Sequence, residues 1–388
     1  MKKRTVEDIN EKIKKGEAVV LSAEEIIVHA AENGIKKTLD TVDIVTTATF
    51  GAMCSSGAFI NFGHTEPPMR LEKVYLNDVE AYGGLAAVDA YIGATQESMF
   101  HGYEYGGAHV IYDLICGKDI KLEARSKGTD CYPRTEISTY INKDNINQAY
   151  MFNPRNGYQN YPAATNSSDR ILHTYMGTLL PKYGNVNYST SGEMSPLIND
   201  PYYRTIGLGT RVFFGGATGY IVWQGTQHAP STNRNEEGIP IGGAGTLALI
   251  GDLKKMSPRF VKAARYNGYG VSIFIGFGVP IPVLDEDVLK GVLIQNKDIH
   301  TNIMDYSVQS RNKPVVKKAS YAELRSGSID INGTRVPTTP MSSLKKARET
   351  AAELKAMIMR KEFFLTEKIE ALPSEHKSNV LDVRGPSI

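Results

Sequence analysis

Cysteine and tryptophan are scarce in this chain: three cysteines and one tryptophan in 388 residues. A sparse, odd set of cysteines fits a reducing compartment better than a disulfide framework, so a cytoplasmic location is expected. None of the three stands in a C-x-x-C pair, which argues against a structural zinc or iron–sulfur site. Net charge is nearly absent as well, with 44 basic against 42 acidic residues. That balance lacks the footprint of a nucleic-acid or membrane-surface binder. No apolar run approaches the roughly 18 residues that a membrane span needs. Met1-Lys2-Lys3-Arg4 is followed by Thr5-Val6-Glu7-Asp8 and not by an apolar stretch, so no secretory signal is expected. Internal repeats and low-complexity tracts are also missing.

What is abundant is glycine, 36 residues, and tyrosine, 21. Glycine without a short period implies tight turns and backbone-lined clefts, as in an enzyme. At 41% hydrophobic and 22% charged, the chain has the composition of a packed globular protein. Its strands, helices and loops alternate without a regular βαβ rhythm. The expectation is therefore a mixed-sheet α/β (or α+β) architecture, with glycine-rich loops around the site and the topology open.

The stretch Thr41–His64 sets a cysteine where a strand gives way to a glycine-rich turn. Val42, Ile44, Val45, Thr46, Thr47 and Thr49 read as a β-strand. Gly51 and Gly57 then bracket Ala52-Met53-Cys54-Ser55-Ser56, a turn that admits a substrate close to the backbone and frees N–H groups for an anion. Cys54 is placed like a nucleophile; the alternative is a buried free thiol. A second cysteine has a similar setting, Gly128-Thr129-Asp130-Cys131-Tyr132-Pro133-Arg134, where Arg134 is a cation able to support a thiolate. Cys116 ends an apolar run and reads as core.

Taken in order, Thr5 and Ser22 cap two helices that stop at Gly16 and Gly34. Residues 93–109 hold His101, Glu104 and His109. Their spacing does not put all three on one helical face, and the glycines argue against a helix, so no metal is expected there and acid–base work or loop hydrogen bonding is. Lys118–Glu123 and Thr135–Tyr140 read as strands on either side of Cys131. Residues 142–204 are polar and rich in Asn, Tyr and Pro, and are expected to form a lid or a subunit contact. Gly242, Gly243 and Gly245 precede an apolar run; they lack the dinucleotide spacing but, with Gly51 and Gly57, are candidates for an anion cradle. Gly270–Val283 is a strand expected to end at Pro280. Ser328–Val336 is a hairpin with an Asn332-Gly333 turn. Ser343–Phe364 has helical periodicity, and residues 366–388 read as a tail after one catalytic domain, 1–365.

The segments TATFGAMCSSGAFINFGH, HGYEYGGAHV, GTDCYPRTE, RVFFGG and GIPIGGAGTLAL together resemble the archaeal and bacterial homocysteine-biosynthesis family, over roughly residues 5–365. The resemblance implies an L-aspartate semialdehyde sulfurtransferase that makes homocysteine from the aldehyde and a reduced sulfur source. It implies that the family's two functional cysteines fall at Cys54 and Cys131. It also implies no tightly bound cofactor and an external electron donor, a ferredoxin-like iron–sulfur protein. Many relatives carry C-terminal nucleotide-sensing (CBS) modules, which are not expected here, and a homo-oligomer is.

The chemistry asks for a sulfur carrier, an acid for the departing oxygen and electrons. Cys131, beside Arg134, is the expected persulfide carrier, and the scheme ends in a Cys54–Cys131 disulfide. Arg70 or Arg134 would pair the substrate carboxylate and Glu104 or Asp130 its ammonium, while His64, His101 or His109 would protonate the oxyanion. Two other readings compete. One is an acyl- or CoA-transferase using Cys54 alone. The other is a non-catalytic metabolite-binding protein with unreactive thiols.

Overall fold

A computed structural model describes residues 4–376 and 379–382. Among them, strands form a large mixed sheet of sixteen, a second of six and two short pairs. The large sheet runs Val20–Ser22, Ile44–Ala52, Gly270–Pro282, Arg211–Phe214, Ala217–Gln224, Leu247–Asp252, Gln148–Asn156 and Gly57–Asn61. It continues through Asp89–Gly93, Val79–Ala86, Lys73–Leu76, Ile120–Arg125 and Glu136–Ile141. The first pair is parallel and the rest of this path antiparallel, which makes the sheet mixed as expected. The six-stranded sheet includes Ala163–Thr165, Val186–Tyr188 and His300–Asp305, and the Asn332-Gly333 hairpin closes one edge, both turn residues at positive φ (52° and 79°).

The N-terminal helices form as their caps dictate. Thr5 and Ser22 each accept the backbone N–H three residues on, and the backbone N–H of each donates in return to the Asp8 or Glu25 carboxylate. The Leu344–Met359 helix lies on Ile44–Ala52 and Gly270–Pro282, burying Ala347, Ala351, Leu354 and Ile358. Gly276 and Gly278 allow this approach: a Cβ on Gly276 would stand 2.7 Å from the Thr350 hydroxyl. That helix ends before the expected Phe364, because Phe363 leaves it to fill a separate core with Ile9 and Ile13.

Two other expectations are corrected, the end of one strand and the absence of a helix after Gly106. The central strand continues past Pro280 to Pro282. The missing N–H groups of Pro280 and Pro282 point away from Ile44–Ala52, toward a side with no partner strand at that level, so no ladder bond is lost. Residues 107–115 are helical despite their glycines. A side chain on Gly107 would strike the Gly93 carbonyl, so glycine is required for the helix to start against that strand. Residues 142–204 supply the Gln148–Asn156 strand in the middle of the large sheet and two strands of the smaller one; only parts of the segment face the cavity described below. The polar segment after Leu365 is docked for part of its length. Glu370–Ala371 pairs with Gly207–Leu208, Leu372 is buried, and the Pro373 carbonyl accepts from His228 Nε2 at 3.2 Å. No helix among the described residues is long and apolar enough to cross a membrane.

Candidate active site

Cys54 sits in the Met53–Ser56 turn between two strands of the large sheet, and the turn is stapled on both sides. Met53 N–H donates to the Ile273 carbonyl at 2.7 Å, and Ser56 N–H to the Met53 carbonyl at 2.9 Å. Asn153 Nδ2 donates to Ser56 Oγ at 2.6 Å and Ser55 Oγ to the Arg155 carbonyl at 3.4 Å. The Cys54 thiol is thereby aimed at Ser272, with Sγ and Oγ 3.1 Å apart. Ser272 is completely buried in an otherwise apolar strand. A serine in such a run was the signal that sequence reasoning left unused.

The thiol lies at the wall of a cavity of about 410 Å³, the size of a small metabolite's site. Thr49, Gly51, Arg155, Asn156 and Ser342 contribute to the wall, with Tyr158, Tyr161, Tyr175 and Tyr269. Three phenols form a chain: Tyr161 Oη to Tyr175 Oη, and Tyr175 Oη to Tyr306 Oη, each 2.9 Å. Burial pushes the Tyr161 and Tyr158 hydroxyls up, so they remain neutral donors at physiological pH. Burial likewise pushes the Cys54 thiol up, opposed by the Ser272 hydrogen bond, the turn's own backbone and the Arg155 charge. The resting thiol is therefore neutral, and its nucleophilic form grows only as pH rises beyond the ordinary thiol range. Ser272→Ala removes one of the opposing effects. Alkylation of Cys54 at pH 8 should slow by on the order of 5-fold, with its pH profile displaced to the alkaline side. An unchanged or faster rate would remove Ser272 from the account.

The expected site residues fall into three separate places. Gly51 shares the cavity with Cys54. A second group surrounds Cys131, which is exposed on the loop between Ile120–Arg125 and Glu136–Ile141. Asp130 is exposed on the same loop, His64 stacks on Tyr132 with ring centres 6.3 Å apart, and Arg70 borders a surface hollow beside Tyr132. The Arg134 guanidinium does not hold the Cys131 thiolate as expected. It donates to the Glu66 and Pro67 carbonyls at 2.6 and 3.1 Å and fastens the loop. In the third group, His101 is exposed on a hairpin, Glu104 pairs with Arg265, and His109 Nδ1 accepts the Gly106 N–H at 3.2 Å at the start of a helix. Desolvation lowers the His109 pKa. No histidine and no carboxylate among the described residues lines the Cys54 cavity.

The two expected catalytic thiols do not meet within one chain. From the strand after Cys54 to the strand before Cys131 there are four inter-strand steps, roughly 19 Å across the sheet. The register Phe59–Tyr91–Tyr82–Lys73–Arg125 also places them at opposite strand ends: Cys54 precedes Gly57, and Cys131 lies beyond Arg125 on the Asn61 side.

The anion cradle also dissolves. A Cβ on Gly57 would strike the Tyr91 hydroxyl and stand 2.7 Å from the Ile92 carbonyl, so this glycine serves packing. Gly245 is pressed against the Tyr203 ring, and Gly242 and Gly243 are open; none of the four lines the Cys54 cavity. Gly57→Ala should lower stability by about 2 kcal/mol in urea unfolding, while Gly242→Ala stays within about 0.5 kcal/mol and keeps full activity. A large activity loss in Gly242→Ala would restore the cradle.

The class these features define is a mixed α/β protein with a small-molecule cavity built around one hydrogen-bonded cysteine. The chain belongs to the family described as homocysteine biosynthesis enzyme, sulfur-incorporation, whose match covers residues 18–365. It is 51% identical over 375 residues to the L-aspartate semialdehyde sulfurtransferase of Methanosarcina acetivorans, covering 97% of this chain and 73% of that protein. It is 50% identical over 384 residues to the protein of the same name from Methanocaldococcus jannaschii, covering 95% of this chain and again 73% of the relative. An uncharacterized protein of Methanothermobacter thermautotrophicus is 31% identical over 336 residues, 84% of this chain and 73% of that one. No solved structure matches.

Proposed function

We propose that this chain is an L-aspartate semialdehyde sulfurtransferase that forms L-homocysteine, with Cys54 as the sulfur carrier. The observation that supports this reading is a single cysteine at the wall of a metabolite-sized cavity, its sulfur hydrogen-bonded to buried Ser272. A persulfide is a stronger acid than its parent thiol, so sulfur loaded on Cys54 ionises at a pH where the bare thiol does not.

In the first step the terminal sulfur of the Cys54 persulfide adds to the aldehyde carbon. A C–S bond forms, the carbonyl electron pair moves to oxygen, and the oxygen takes a proton. A second thiol then breaks the S–S bond, leaving a disulfide on Cys54 and releasing a carbon bearing both hydroxyl and thiol. Loss of water gives a thioaldehyde, and two electrons with two protons give the thiol product. With sulfide, the disulfide is itself the oxidant: sulfide attacks it at Cys54, reloading the persulfide and releasing the resolving thiol without added electrons. With a sulfane donor, two further electrons reopen this disulfide before the Cys54 thiol takes the donor's outer sulfur. An iron–sulfur protein of the ferredoxin kind supplies these electrons from outside the chain. The resolving thiol is Cys131 of a second copy, presented on its exposed loop, so the active unit is a homo-oligomer.

Incubation with L-aspartate semialdehyde, sulfide and a low-potential reductant should yield homocysteine, identified by mass. No thiol product with any sulfur donor would exclude the activity, and a trapped acyl adduct on Cys54 would favour acyl transfer instead.

A further inference from the structure

Arg155 is the one charged side chain among the described residues that lines the Cys54 cavity. It is strapped beside the reacting sulfur. Its N–H donates to Asn153 Oδ1 at 3.0 Å, its carbonyl accepts from Ser55, the residue after Cys54, and its Nε donates to Thr226 Oγ1 at 3.0 Å. Burial raises the Tyr158 hydroxyl's pKa and the Arg155 charge opposes that rise. With Nε engaged, the fork is held from its stem, the arrangement suited to two parallel bonds to a carboxylate. The adjoining wall is polar and unsatisfied. The Asn156 side chain is 1% exposed with neither amide atom partnered, and the Thr49 hydroxyl, in a residue 9% exposed, is also without a partner. Buried polar atoms of this kind call for an explanation, and a ligand that brings donors and acceptors supplies one.

We propose that Arg155 selects the aldehyde by its carboxylate, and that the substrate's ammonium group is tolerated without being required. The second half follows from the wall: no aspartate or glutamate among the described residues lines the cavity, so the ammonium finds no anionic partner there. The preferred substrate class is a short aldehyde with a carboxylate at the far end. This inference rests on the functional reading above and narrows it.

The test compares three aldehydes in the full-length protein: L-aspartate semialdehyde, succinate semialdehyde, which lacks the amino group, and 3-aminopropanal, which lacks the carboxylate. The unaltered protein should turn over succinate semialdehyde within about 10-fold of L-aspartate semialdehyde in kcat/KM and disfavour 3-aminopropanal by ~10²-fold. Arg155→Gln should collapse that preference, losing ~10²-fold on both carboxylates, mostly in KM, and Arg155→Lys should recover part of the loss. Equal losses on all three aldehydes would make Arg155 structural, and an intact carboxylate preference in Arg155→Gln would overturn the proposal outright. Should the unaltered protein convert no aldehyde, the activity itself is wrong. Calorimetric binding of L-homoserine, the unreactive alcohol counterpart, then still decides Arg155: at least about 10-fold weaker binding in Arg155→Gln supports it, and equal binding refutes it.

Discussion

Cys54→Ser should abolish homocysteine formation, by at least ~10³-fold, and leave the fold intact. The size of the loss follows from the cavity's chemistry: among the described residues no other cysteine lines it, and a serine hydroxyl carries no sulfur. The fold survives because serine is smaller than cysteine and its hydroxyl can keep the bond to Ser272, now 3.1 Å from Sγ. Thermal unfolding should therefore shift by no more than about 2 °C. Substantial activity in Cys54→Ser would move the chemistry elsewhere. A loss of activity accompanied by unfolding would require Cys54→Ala as the cleaner variant, with the same expected result.

The second large effect concerns Cys131. Alone, Cys131→Ser should lose multiple turnover, and small dithiols should restore it, because the missing group only resolves an S–S bond. Since the two thiols of one chain face opposite ends of the sheet, an equimolar mixture of Cys54→Ser and Cys131→Ser chains, exchanged as subunits, should regain activity. Random pairing in a dimer gives half the dimers one intact composite site of two, up to about a quarter of the unaltered rate. A dead mixture would contradict delivery between copies. Full activity in Cys131→Ser alone would remove that cysteine from the reaction. Cys116, at a helix C-terminus away from the cavity, should tolerate serine in either background.

How far the sequence led differs between the parts of the site. The Cys54 turn was legible because a β-branched run followed by small residues and glycine specifies strand, then turn, within a dozen positions. Capping boxes and the Asn332-Gly333 hairpin were legible for the same local reason. Arg155 was not, though it lies within the polar 142–204 segment. It reaches the cavity because the Gln148–Asn156 strand pairs directly beside the Cys54 turn and shifts register between Asn153 and Asn156, a tertiary event no local pattern reports. The histidines misled in the opposite sense. His101, Glu104 and His109 are near in sequence, yet a hairpin and a helix start send them to different neighbours. Arg134 stands three residues from Cys131 and still turns to the carbonyls of another loop. Proximity along the chain supplied motifs; proximity in space supplied the site.

The central claim is that sulfur meets the aldehyde at Cys54. It is tested most directly by loading the protein with a sulfane donor, alkylating it without reductant, and mapping the extra sulfur by peptide mass. The account predicts one additional sulfur on the peptide containing Cys54, discharged when L-aspartate semialdehyde and reductant are added together. Extra sulfur confined to the Cys131 or Cys116 peptide, or a Cys54 persulfide that the aldehyde and reductant leave untouched, would contradict it.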